Sequence, residues 1–160
     1  MIYCGIDPGN SGAIAIFGMN RLVYFYDMPT EPKLTGKGLQ VSASGLYNIL
    51  RKWNLKVAYV EKVHAMPGQG VTSMFTFGRG LGVIEGVLAG LEIEMAVVPP
   101  RKWKDHFGLI GKEKNDARVL SLAIYPDFSQ ELKLKKNIGK ADALLIGMCG
   151  ESERVSQEEG

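Results

Sequence analysis

The chain has 160 residues, 46% of them hydrophobic, and a formal net charge of +2. That length and composition fit one domain with a substantial core and argue against a disordered chain. The longest apolar stretch is far short of a bilayer span. The mildly basic balance permits nucleic-acid contact without arguing for it. Its lysines and arginines gather in three places: Lys133, Lys135, Lys136 and Lys140; Arg101, Lys102 and Lys104; and Lys112 with Lys114. Each group is also compatible with a solvated face.

Residues 2–7, 13–18 and 21–27 read as three successive strands. Pro8-Gly9 turns the chain after the first, and Gly18-Met19-Asn20 makes the second hairpin. Residues 29–38, rich in proline, glycine and lysine, read as a loop. Ser42 caps a helix running to about Trp53, with Leu46, Ile49, Leu50 and Trp53 on one face. Lys56 to Glu61 is a short strand. The glycine-containing loop Met66-Pro67-Gly68-Gln69-Gly70 leads into a long helix from Val71 to Ala89. Its many glycines, each costing about 1 kcal/mol in a helix interior, point to close packing against another helix or subunit. A fifth strand, 93–98, stops at Pro99-Pro100. Short helices are predicted over 100–106 and from Lys112 to before Tyr125, and a last helix over 139–148. The polar tail from Glu151 is expected to fray. Three consecutive strands followed by helix–strand alternation give a mixed α/β domain over residues 1–150, with 151–160 as the tail.

Cys4 and Cys149 lie in apolar runs and read as buried small hydrophobes in a reducing compartment. Asp7 interrupts any apolar leader, so no signal peptide is expected.

Three acids stand apart from the surface acids. Asp7 and Glu61 each end an apolar strand, and Asp142 sits among Ala141, Ala143, Leu144 and Leu145 on a helix apolar nearly all round. A carboxylate against apolar sequence is costly unless paired or bound to a cation. Asp7 alone could be an ordinary turn residue, and Asp142 alone a paired core acid. Two strand ends and a helix could bring all three together. Such a cluster favours hard divalent cations, Mg²⁺ or Mn²⁺, two of which can support phosphodiester hydrolysis.

Gly5-Ile6-Asp7-Pro8-Gly9 with Gly12 resembles the first motif of the RuvC-type Holliday junction resolvases, in the ribonuclease-H-like superfamily. Val60-Glu61 is similar to the second motif and Ala141-Asp142-Ala143-Leu144 to the last. Met66-Pro67-Gly68-Gln69-Gly70-Val71 with Ser73-Met74-Phe75 resembles the phage and organellar branch. The resemblance covers residues 2 to 150. It implies a ribonuclease-H-like five-stranded mixed sheet flanked by helices, and a homodimer that resolves four-way and branched DNA junctions. It implies Asp7, Glu61 and Asp142 as metal ligands, with two Mg²⁺ or Mn²⁺ ions per site and Asp7 bridging them. Met66, Gln69 and Ser73 would face DNA, as would Lys112, Lys114 and Lys140, and the helix over 71–89 would form much of the dimer interface. The expected setting is the cytoplasm of a bacterium or phage-infected cell.

One departure stands out. The family has a fourth acidic or histidine ligand shortly before the last Asp. In the bacterial branch it lies three residues earlier, where this chain has Gly139. In the phage-like branch an acid, often with a histidine, is expected where Asn137-Ile138 stand. Asn137 offers a carbonyl oxygen but no charge, which makes it the candidate fourth ligand of a weakened site. A catalytically disabled junction-binding protein and a nuclease of structured RNA are the alternative readings. His64 and His106 read as structural or surface residues, Asp116 as a first-turn acid, and Trp53 and Trp103 as packing residues.

Overall fold

The computed structural model describes residues 1–64, 68 and 70–160. A five-stranded sheet of order β3-β2-β1-β6-β7 is its frame. Strands β1 (Ile2–Asp7), β2 (Ala13–Gly18) and β3 (Arg21–Asp27) are the predicted antiparallel meander. Met19 and Asn20 take left-handed backbone, φ 51° and 59°, the twist that suits a two-residue hairpin. The first turn is closed by Gly12 N–H donating to Gly9 O at 2.9 Å. A Cβ on Gly12 would lie 2.0 Å from Asp7 O, so this position accepts only glycine.

Strand β6 (Leu55–Glu61) runs parallel to β1, and β7 (Glu94–Val98) parallel to β6. The helices between them supply the crossovers: α1 (Ala43–Leu50), capped by Ser42 as predicted and ending short of Trp53, and α2 (Val71–Gly90). Beyond β7 lie α3 (Pro100–His106), α4 (Lys114–Ile124), the short α5 (Ser129–Leu132) and α6 (Ile138–Glu158). Asp116 works as the expected first-turn acid of α4, its Oδ2 accepting the Glu113 N–H at 2.9 Å.

Side chains alternate across the sheet. Cys4, Ile6, Ala58 and Val60 join Leu46, Leu50, Ile84 and Leu88 in the core on the α1–α2 side. Tyr3, Val57 and Tyr59 join Leu144, Leu145 and Trp103 on the opposite side, under α6 and α3. By the same alternation Asp7 and Glu61 face α6. The helix comes unusually close: a Cβ on Gly5 would meet Ala143 O at 2.0 Å and Gly147 N at 2.6 Å.

Two expectations are corrected. The stretch read as a loop contains a two-stranded hairpin, β4 (Thr30–Pro32) with β5 (Leu39–Val41). Glu31 fastens it, accepting from Ser42 Oγ at 2.7 Å and Gln40 Nε2 at 3.2 Å. The tail does not fray at Glu151: α6 continues to Glu158. Glu151 is buried, accepting from Tyr59 Oη at 2.7 Å and pairing with Arg154 at 2.9 Å. No helix among the described residues is long and apolar enough to cross a membrane.

Candidate active site

Parallel pairing of β1 with β6 last registers Ile6 against Val60. Asp7 and Glu61 are the next residues of each strand and leave the sheet side by side toward α6. Asp142, one turn into α6, faces them, and all three acids line one cavity. Burial pushes Asp142 up to about 7, with the charges of Asp7 and Glu61 adding to the rise and Lys104 and Lys114 opposing it. Asp7 is pushed up to about 6, again first by burial and then by Glu61, against a hydrogen bond from the Gly9 backbone and the charge of Lys114. Like charges held in a water-poor site are the physical cause.

The stability consequence has a definite sign. Both groups hold their proton more tightly in the folded than in the unfolded chain. Their contribution is therefore complete below about pH 4 and is lost as pH rises through about 6 to 7. The metal-free protein, kept in a chelator, is expected to melt about 5 °C higher at pH 5.5 than at pH 8. Asp7→Asn should flatten that slope. Scanning fluorimetry across the range reads it, and a melting point that instead falls on acidification contradicts the assignment.

The donor set is oxygen only, the chemistry that Mg²⁺ and Mn²⁺ prefer. Asp7, Glu61 and Asp142 are the residues that could hold such ions. As they stand, no three Asp, Glu, His or Cys side chains among the described residues converge to chelating distance. Glu61 is already engaged on one side, its Oε1 accepting from Trp103 Nε1 at 2.9 Å.

Lys112 and Lys114, at the start of α4, line the same cavity, as does Ser73 in the first turn of α2. Met66 and Gln69 lie outside the described residues. Two predicted site residues are not brought to the acids. Asn137 closes the turn before α6 and donates its amide to Glu131 O, in a separate hollow shared with Asp27 and Lys140. Lys140 is drawn the same way, its Nζ 3.3 Å from Asp27 Oδ1. Nor can a side chain enter at Gly139, where a Cβ would lie 2.6 Å from Ser11 O. The candidate site is thus a three-carboxylate site.

Lys62, Lys104, His64 and Trp103 also line the cavity; in sequence His64 reads as a structural or surface residue, Lys104 as one of a basic group and Trp103 as packing, and Lys62 carries no signal. Lys104 belongs to a visible basic knot, which was the available signal. The Trp103–Glu61 bond crosses two elements and has no local signature.

No protein-family model matches the chain. In sequence it is 38% identical over 89 residues to the chloroplastic Holliday junction resolvase MOC1 of Chlamydomonas reinhardtii, a match covering 55% of this chain and 10% of that protein. The chain therefore spans about a tenth of the length of this curated relative. In structure it is similar to T. thermophilus RuvC in complex with Holliday junction substrate, with a TM-score of 0.65, 16% identity, and 97% and 96% of the two chains covered. It is also similar to a second Thermus thermophilus RuvC structure, with a TM-score of 0.60, 15% identity, and 98% and 97% covered. The chain thus resembles RuvC in its ribonuclease-H-like fold over nearly its whole length, and a Holliday junction resolvase in sequence over 89 residues.

Proposed function

We propose that this protein is a divalent-cation-dependent endonuclease that resolves four-way DNA junctions by phosphodiester hydrolysis. The observation that carries the reading is the delivery of Asp7, Glu61 and Asp142 into one cavity with a lysine rim, on a fold similar to RuvC. Asp7, Glu61 and Asp142 would hold Mg²⁺ or Mn²⁺, two per site. Bound there, such ions activate a water for attack and stabilise the departing oxygen. The protein's own part is to gather three carboxylates in a partly dry pocket, where burial raises Asp7 and Asp142 and the charges of Lys114 and Lys104 oppose that rise. Lys112 and Lys114, which line the cavity beside the N-terminus of α4, would contact a phosphate of the strand to be cut.

A homodimer suits the reading. Gly78, Gly82, Gly86 and Gly90 repeat at four-residue spacing on α2, and a Cβ at any of them would meet nothing within 4 Å. That face has room for the backbone of a second helix. Sedimentation of the free protein tests it, and a strict monomer even on junction DNA removes the point.

The deciding experiment is a nicking assay on a four-way junction and a matched linear duplex, in Mg²⁺ and in Mn²⁺. Cutting of the junction alone is expected. Tight, salt-sensitive binding without nicks would favour a junction-holding protein, and cutting confined to structured RNA would favour the ribonuclease alternative.

A further inference from the structure

We propose that Trp103 is a positioning residue for this site: its indole N–H pins one oxygen of Glu61 and so fixes the direction from which the other is offered to a divalent cation. The inference rests on the metal-dependent reading above.

The backbone sets up the contact. Glu61 is in register with Val98 of β7, and the Lys62 N–H donates to Val98 O at 2.8 Å, so the ends of the two strands are tied. Pro99 and Pro100 then stop β7 and open α3, which carries Trp103 back over the end of β6. The indole is 2% exposed and belongs to the core that includes Val98, Leu109 and Leu144. On a second side Lys104 Nζ lies 5.3 Å from the ring centroid. A ring held this firmly presents its N–H along one line, and that line meets Glu61 Oε1 at 2.9 Å.

Such a bond does more than satisfy a buried donor. Burial does not guarantee a partner here, for the indole N–H of Trp53 is buried and unpaired among the described residues. The terminal torsion of a glutamate is soft, and Glu61 stands at the end of a strand facing two other carboxylates. Pinning Oε1 restricts that freedom and leaves Oε2 as the oxygen without the indole, in the cavity that Asp7 and Asp142 also line. Groups that orient a metal-binding carboxylate in this way typically carry 10–100-fold in metal affinity.

The test is calorimetric titration of Mn²⁺ into the native protein, Trp103→Phe and Leu109→Ala, with the thermal midpoint of each metal-free protein. Phenylalanine keeps most of the packing and deletes the N–H. Leu109→Ala disturbs the same core and leaves the N–H in place. The expected result is an Mn²⁺ dissociation constant raised about 10–100-fold in Trp103→Phe and within about twofold of native in Leu109→Ala. Equal affinity in native and Trp103→Phe overturns the proposal, as does equal weakening in both variants. If Trp103→Phe does not fold, replacement of the indole by benzothiophene at position 103 keeps the shape, lacks the N–H and reads the same outcomes. Failure of the native protein to bind Mn²⁺ would sink the metal reading and this inference together. Native binding untouched by loss of the N–H sinks the inference alone.

Discussion

Asp7→Asn is expected to abolish junction nicking, by at least about 10³-fold, while the variant still folds and still binds a four-way junction. The scale is that reached when a single charge-stabilising group is removed from a reaction centre. Asparagine matches aspartate in size and can accept from the Gly9 backbone as Asp7 does. It cannot supply the negative charge between Glu61 and Asp142 that a divalent ion needs. Removing one of three crowded carboxylates also relieves repulsion, so the metal-free variant should be no less stable than the native chain at pH 8. Gel-based nicking and mobility-shift assays on the same preparation separate the two quantities. Residual cutting within tenfold of native would place the chemistry elsewhere.

Gly5→Ala is expected to cost more than about 3 kcal/mol of folding stability, the upper end of what overpacking produces. Most overpacked cores relieve the clash by turning a side chain. Here the obstructing atoms are backbone, Ala143 O at 2.0 Å and Gly147 N at 2.6 Å, so either α6 or β1 must move bodily. Asp142 rides on α6, one residue before Ala143. Any variant that survives should therefore lose metal affinity along with stability. Urea unfolding and Mn²⁺ titration of the variant check both, and a native-like midpoint would show that α6 and β1 can separate at little cost.

Much of this architecture was readable from local signals. The meander follows from strands interrupted by Asp-Pro-Gly and Gly-Met-Asn turns, and α1 begins at its Ser42 cap because that hydroxyl accepts from Gly45 N–H. Asp7, Glu61 and Asp142 were visible because each interrupts an apolar run. What was missed depends on contacts distant in sequence. The β4–β5 hairpin hides among prolines and glycines, and Glu31, Gln40 and Ser42 hold it by hydrogen bonds that no periodicity announces. The last turns of α6 look like a polar tail until Tyr59, on a central strand, is seen to bury Glu151. Asn137 is a candidate ligand only by its place in a motif, and its amide donates to Glu131 O in a different hollow. The indole of Trp103 reads as packing in sequence and becomes a hydrogen-bond donor only when β6 and β7 lie side by side.

Chain order sets when the site's parts are made, and the packing of α6 on β1 sets when they come together. Asp7 on β1 precedes Glu61 on β6, and Asp142 follows both on α6. Before that helix is made there are two acids, and the sheet face carrying Tyr3, Phe17 and Tyr59 lacks the cover of Leu144 and Leu145. The cluster of three carboxylates is then completed in a single late step, when α6 settles onto Gly5. A chain stalled or clipped before that helix would keep Asp7 and Glu61 and lack the third carboxylate of the site.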